Sequence, residues 1–241
     1  MRIGAGTDTA RTVGDVKNSQ KEDQMSEDTA RATATPGVAL TAARLSFAAS
    51  AAFVVLVVAL HFLKPELDPS WRMVSEYEIG RLGWVMQLAF LSLALSCVAL
   101  FVAIQPYVRT AGGKIGLTML LICAAGMTIA AVFTTDPTTA SQNELTIRGN
   151  LHGLGTLLGM PGFPVAVTLI SRSLTRDGAL SSANRSLLWA AALTWVGLLA
   201  FAASVALFLP RSAGGFGPEV LIGWPNRLLV LAYSAWLMVA A

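Results

Sequence analysis

Residues 83–104 read GWVMQLAFLSLALSCVALFVAI, an apolar run with neither a charge nor a proline. A helix rises ~1.5 Å per residue, so about 20 such residues cross a ~30 Å hydrocarbon layer, and the run predicts a transmembrane helix. Working outward from it, five further apolar runs occupy about 40–63, 115–134, 150–171, 186–209 and 224–241. The last is the weakest. Its strongly apolar part begins only at Leu228, and it needs Gly223, Trp224 and Pro225 to reach across a bilayer. The reading is an all-α polytopic membrane helix bundle over 38–241, with six transmembrane helices and five as the alternative.

Composition excludes most other classes. Of the 241 residues 54% are hydrophobic and 13% charged, whereas soluble domains carry about 25% charged residues. The mean hydropathy is +0.62. The net charge of +3 does not imply a nucleic-acid partner, because the 17 Lys and Arg fall in a polar tail and between apolar runs, where membrane topology accounts for them. Cys97 and Cys123 lie inside apolar runs, so no disulfide framework is expected. Residues 1–37 are rich in Thr, Ala, Asp, Lys and Gly and show no apolar period. A disordered cytoplasmic tail is expected there, and a cleaved signal peptide is not.

Alternate sides of the expected bundle carry unequal positive charge. The tail together with Arg44 and the connections 105–114 and 172–186 hold eleven Lys and Arg, against six on the other side, while acidic residues divide evenly. The positive-inside rule then puts both termini in the cytoplasm of an inner-membrane protein. Segments 64–82, 135–149 and 210–223 face outward.

Those outward segments hold the candidate chemistry. In KPELDPSWRMVSEYEIGRLG, residues 64–83, Asp68 can cap a short interfacial helix opened by Pro69, and Glu78 can pair with Arg81. Trp71, Met73, Val74 and Tyr77 read as an amphipathic belt at headgroup depth. Asp136 follows the third span and His152 opens the fourth, so one short loop returns a carboxylate and an imidazole to the same depth. Asn226 and Arg227 stand at the outer end of the last span, where Arg227 either snorkels or holds a carboxylate such as Asp136 or Glu76. Ser75, Asp136 and His152 are the candidate catalytic residues. Glu76, Tyr77, Arg81, Asn226 and Arg227 are the candidates for substrate or headgroup binding.

In the fourth span, Gly155 and Gly159 permit close helix approach, and Pro161 and Pro164 should kink it near the centre. Nucleotide-binding loops, zinc-protease motifs and the nucleophile elbow are absent. With His61 and His152 the only two histidines, an all-histidine metal site within one chain is excluded. No metal and no cofactor are expected.

The stretches HFLKPELDPSWRMVSEYEIGRLGWVMQLAF, AVFTTDP and RGNLHGLGTLLGMPGFP together resemble the bacterial integral membrane family catalogued as domain of unknown function 998, over roughly 45–240. The resemblance implies a compact bundle of about six helices and no established activity. Near the last span the family pattern is similar to Gly followed by Gln-Arg, and here the pair is Asn226-Arg227. A more distant similarity, by residue type only, links Ser75, Asp136 and His152 to membrane hydrolases that place Ser, Asp and His around zinc at a bundle mouth. The functional expectation is an outward polar mouth that interacts with membrane lipids, a membrane-protein partner or a second copy of the chain. The alternative is a hydrolase or transferase acting on an outer-leaflet lipid through Asp136 and His152.

Overall fold

The computed structural model describes residues 37–176, 184–212 and 215–241. The disordered tail expected at the N terminus and part of the 172–186 connection lie outside them. Seven α-helices account for most of the described chain, and no strand occurs among the described residues. In chain order they are α1, Gly37–Leu63; α2, Gly83–Ile104; α3, Ala111–Val132; α4, Ile147–Gly159; α5, Gly162–Arg176; α6, Asn184–Phe208; and α7, Gly223–Ala240. The run 83–104 coincides with α2.

Five segments are long and apolar enough to cross a membrane: α1, α2, α3, the α4–α5 pair taken as one, and α6 with its terminal turn. The protein is thus an all-α membrane bundle. At 18 residues, α7 would reach about 27 Å, and it carries Asn226 and Arg227 in its second turn.

Within the compact unit Ala42–Ala241, α3 packs against α2, α4 and α5, and α6 against α5 and α7. Side-chain hydroxyls tie α1 into this arrangement. Ser46 Oγ donates to the Ser96 carbonyl at 2.9 Å, Ser96 Oγ returns the bond to the Ser46 carbonyl, and Ser50 Oγ donates to the Ser234 carbonyl. Such bonds hold helices together where lipid offers no polar partner. The core between the helices is filled by Phe53, Leu60, Met86, Leu100, Leu120, Ile170, Leu229 and Trp236, all fully buried. At the α3–α4 crossing the backbones touch. A Cβ added to Gly126 would lie 2.5 Å from the Gly155 carbonyl oxygen, so only glycine permits the approach.

The expected kink is a complete break, since α4 ends at Gly159 and α5 begins at Gly162. Proline at 164 has no N–H for the Met160 carbonyl, which would otherwise accept from it across one helical turn. The Tyr233 hydroxyl of α7 donates to that carbonyl at 2.5 Å, and its ring stacks on Phe163 with centroids 4.3 Å apart. A backbone acceptor freed inside the bundle is thereby satisfied by a neighbouring helix.

Candidate functional site

The connection Lys64–Leu82 folds over one end of the bundle as a cap. Its hinge is Gly80, whose φ of +86° belongs to the region that L side chains seldom adopt. Before this reversal, Val74–Glu78 forms a 3-10 turn in which Val74, Glu76, Tyr77 and Glu78 are buried. Backbone atoms of the cap make three attachments to α7. The Gly223 N–H donates to the Ser70 carbonyl at 3.0 Å, the Val74 N–H to Asn226 Oδ1 at 2.9 Å, and Arg227 Nη1 to the Arg72 carbonyl at 2.8 Å. Within the cap, the ammonium of its first residue, Lys64, donates to the carbonyls of Tyr77 and Ile79. Burial pushes that ammonium below its ordinary pKa, and nearby Glu66 offsets part of the shift. On the exposed side, Asp68 accepts from the Ser70 N–H at 2.9 Å, which holds its carboxyl below the usual range.

Arg227 is 4% exposed and is solvated almost wholly by neutral acceptors. Its Nε donates to His61 Nε2 at 2.7 Å, Nη1 also reaches the Gly223 carbonyl at 3.0 Å, and Nη2 reaches the Tyr77 hydroxyl at 3.2 Å. His61 Nδ1 faces the Val57 carbonyl at 2.7 Å. A carbonyl only accepts, so Nδ1 carries the hydrogen and Nε2 is the lone-pair acceptor for arginine.

Two buried glutamates join the cap to the chain after α3. Glu76 accepts from Arg72 Nη1 at 2.7 Å, from the Met73 N–H at 2.9 Å and from the Thr138 N–H at 3.0 Å. Glu78 Oε2 accepts from the Thr135 N–H at 3.2 Å and lies 3.2 Å from His152 Nδ1. His152 Nδ1 also faces the carbonyls of Ala130 and Phe133, at 3.0 and 2.9 Å, so this nitrogen too holds the hydrogen. Its Nε2 has no hydrogen-bond partner among the described residues. Glu78 Oε1 and Thr138 Oγ1 are buried without a partner among them.

Beneath the cap, between α2, α3, α4 and α7, lies a cavity of about 60 Å³. Its wall is mainly apolar, formed by Phe90, Leu93, Met127, Met160, Leu229 and Val230, with Ser75, Thr156 and Asn226 as polar points. His152 sits just behind the wall, edge-on to Phe90 with centroids 5.9 Å apart.

The model of the family described as "Protein of unknown function (DUF998)" matches residues 47–241. The chain belongs to that family. No curated protein and no solved structure matches it. The match in this DUF998 chain takes in the whole cap, both histidines and all of α7.

The sequence-expected residues divide between two places. Ser75 and Asn226 line the cavity, and Glu76, Tyr77, Arg227 and His152 are buried in the cap network. Asp136 does not join His152 by a hydrogen bond or ion pair. Its two carboxylate oxygens accept from the Thr146 N–H and hydroxyl, each at 2.8 Å, so it braces the residue that caps α4. Arg227 neither snorkels nor holds a carboxylate within 4 Å among the described residues. Tyr77 is 1% exposed and therefore is no headgroup belt. Nor does Glu78 pair with Arg81, because the turn at Gly80 sends Glu78 inward and leaves Arg81 exposed. The segment that was expected to be a helix opened by Pro69 is a set of turns with one 3-10 turn. Among the described residues no group of three or more His, Cys, Asp or Glu side chains is placed to hold a metal ion.

Two positions of the cap network escape sequence reasoning. Glu78 was hidden by the local i, i+3 pairing with Arg81, although the intervening Gly80 was a signal that the helix would not continue. His61 lies within an apolar run, and its partner Arg227 is 166 positions away.

Proposed function

We propose that the chain is a bacterial inner-membrane protein, with both termini in the cytoplasm and the cap outward, that binds a membrane amphiphile under the cap without transforming it. The cavity carries this reading. It is a mainly apolar space at one end of the bundle, with a few polar groups on its wall, which is the usual composition of a ligand site. Met73, Met127 and Met160 contribute flexible, polarizable side chains to it, and these adapt to an occupant more readily than branched ones. The charges beside it serve the cap: Arg227, Glu76 and Lys64 spend their hydrogen bonds on backbone and side-chain partners within the protein. Asp136 is committed to Thr146, which weakens the case for an Asp136–His152 catalytic pair.

The test fills the space. Val230→Phe and Leu93→Phe each narrow the cavity from a different wall. The amphiphile that co-purifies with the full chain, measured by lipid mass spectrometry, should fall in both variants while thermal unfolding stays close to wild type. An unchanged lipid complement in both would overturn the reading.

One observation favours a second reading, hydrolysis or group transfer on an outer-leaflet lipid. The Glu78 carboxylate beside His152 Nδ1, with Nε2 unpaired among the described residues and Ser75 on the cavity wall, resembles the arrangement that readies an imidazole as general base. In this version Glu78 takes the orienting role and His152 accepts the proton. Purified protein incubated with a total lipid extract should then release product, and His152→Gln and Glu78→Gln should each abolish it. Absence of turnover in the wild type retires this reading.

A further inference from the structure

The polar atoms on the cavity wall carry a statement about the head of the ligand. Ser75 Oγ and Thr156 Oγ1 make no hydrogen bond among the described residues. Asn226 spends Oδ1 on the Val74 N–H at 2.9 Å, which leaves its Nδ2 with two donors unused. Tyr233 also lines the space, but its hydroxyl is taken by the Met160 carbonyl. Unused hydroxyl and amide groups inside a membrane bundle are costly unless something fills their valence. Among the described residues, no Asp, Glu, Lys or Arg lines the cavity. The nearby cation Arg227 is already bound at four acceptors, and Glu76 at three donors. A phosphate or ammonium entering there would lose its water and meet no charged side chain on the wall, whereas a hydroxyl or carbonyl loses much less and finds matching partners.

We propose that the cavity takes the head of an uncharged amphiphile, bearing hydroxyl or carbonyl groups, through Ser75, Thr156 and the amide of Asn226. This rests on the amphiphile-binding reading above and narrows it. At about 60 Å³ the space holds roughly four or five water-sized bodies, enough for a small polar head and its first carbons, while the remaining chain runs out between helices.

The test is equilibrium binding of three labelled probes, each with a single C18 monounsaturated chain, namely monooleoylglycerol, oleoyl lysophosphatidate and oleylamine, to the purified full chain in amphipol. Monooleoylglycerol should bind at least about tenfold more tightly than either charged probe. Ser75→Ala and Thr156→Val should each weaken it about threefold to tenfold, the worth of one hydrogen bond, and leave the binding of the charged probes and the melting temperature unchanged. Equal or tighter binding of a charged probe overturns the uncharged-head inference but leaves amphiphile binding standing. No binding of any probe, with the Val230→Phe lipid complement also unchanged, overturns both. Preference for monooleoylglycerol that survives both substitutions overturns the assignment to these residues.

Discussion

Replacing Arg227 by lysine keeps the charge and removes the geometry, so it separates the two contributions of this side chain. The guanidinium spans three acceptors outside its own helix: His61 Nε2 at 2.7 Å, the Arg72 carbonyl at 2.8 Å and the Tyr77 hydroxyl at 3.2 Å. These belong to α1 and to two points of the cap. A single ammonium nitrogen on a flexible stem cannot meet all three, and we expect it to reach one. Two charge-assisted bonds are lost, at about 1.5–3 kcal/mol each, while the desolvation cost of a buried cation remains. The expected loss is about 3–6 kcal/mol, or on the order of 10 °C in melting temperature for a unit of this size. Arg227→Met removes the cation and its desolvation along with the bonds, so it should cost less, about 1–3 kcal/mol. The assay is thermal unfolding of the detergent-solubilised chain by tryptophan fluorescence, with Trp71 and Trp224 beside the site as reporters. If Arg227→Lys melts within about 2 °C of wild type, or above Arg227→Met, the claim that directed hydrogen bonds hold the cap is wrong.

Three further outcomes follow from the same geometry. Tyr233→Phe should cost about 1–2 kcal/mol by stranding the Met160 carbonyl, and most of that loss should vanish in a Pro164→Ala background, where an N–H is restored; equal losses in both backgrounds would show that the break is sealed in another way. Gly126→Ala places a methyl against the Gly155 carbonyl and should sharply lower the yield of folded protein in size-exclusion chromatography, whereas Gly153→Ala, with nothing within 4 Å of its Cβ, should not. Reporter fusions should give periplasmic activity at Thr138 and cytoplasmic activity at the C terminus, and periplasmic activity at the C terminus would refute the proposed orientation.

The architecture was legible wherever one residue type governed its own neighbourhood. The run 83–104 became α2 because it holds neither a charge nor a proline over a length that spans a bilayer, and Pro161 and Pro164 broke the fourth span because proline removes a donor wherever it stands. The glycines at 155 and 159 announced close packing without saying against what; the facing glycine, Gly126, lies in another run. The cap was less legible because its partners are remote. Asp136 and His152 do return to the same region, but side-chain direction decides which carboxylate meets the imidazole, and Glu78 arrives from a connection more than 50 positions away. Arg227 invited a search for an acid, since that is the usual answer to a cation near a bilayer. The chain answers with an imidazole lone pair, a phenol and two carbonyls, a combination that only the folded cap assembles.

That composite environment makes α7 depend on segments far from it in the chain. Taken alone, α7 is a poor passenger for a bilayer, a short helix with an arginine and an asparagine near its start. What makes it acceptable is supplied by earlier chain: His61 from α1, Ser70, Arg72 and Tyr77 from the cap, the Met160 carbonyl from the break, and Ser171 for the Trp236 ring nitrogen at 3.0 Å. The dependence runs both ways: without α7 the Met160 carbonyl at the break loses the Tyr233 hydroxyl, and the cap loses Asn226 and Arg227, which hold it at Val74, Arg72 and Tyr77.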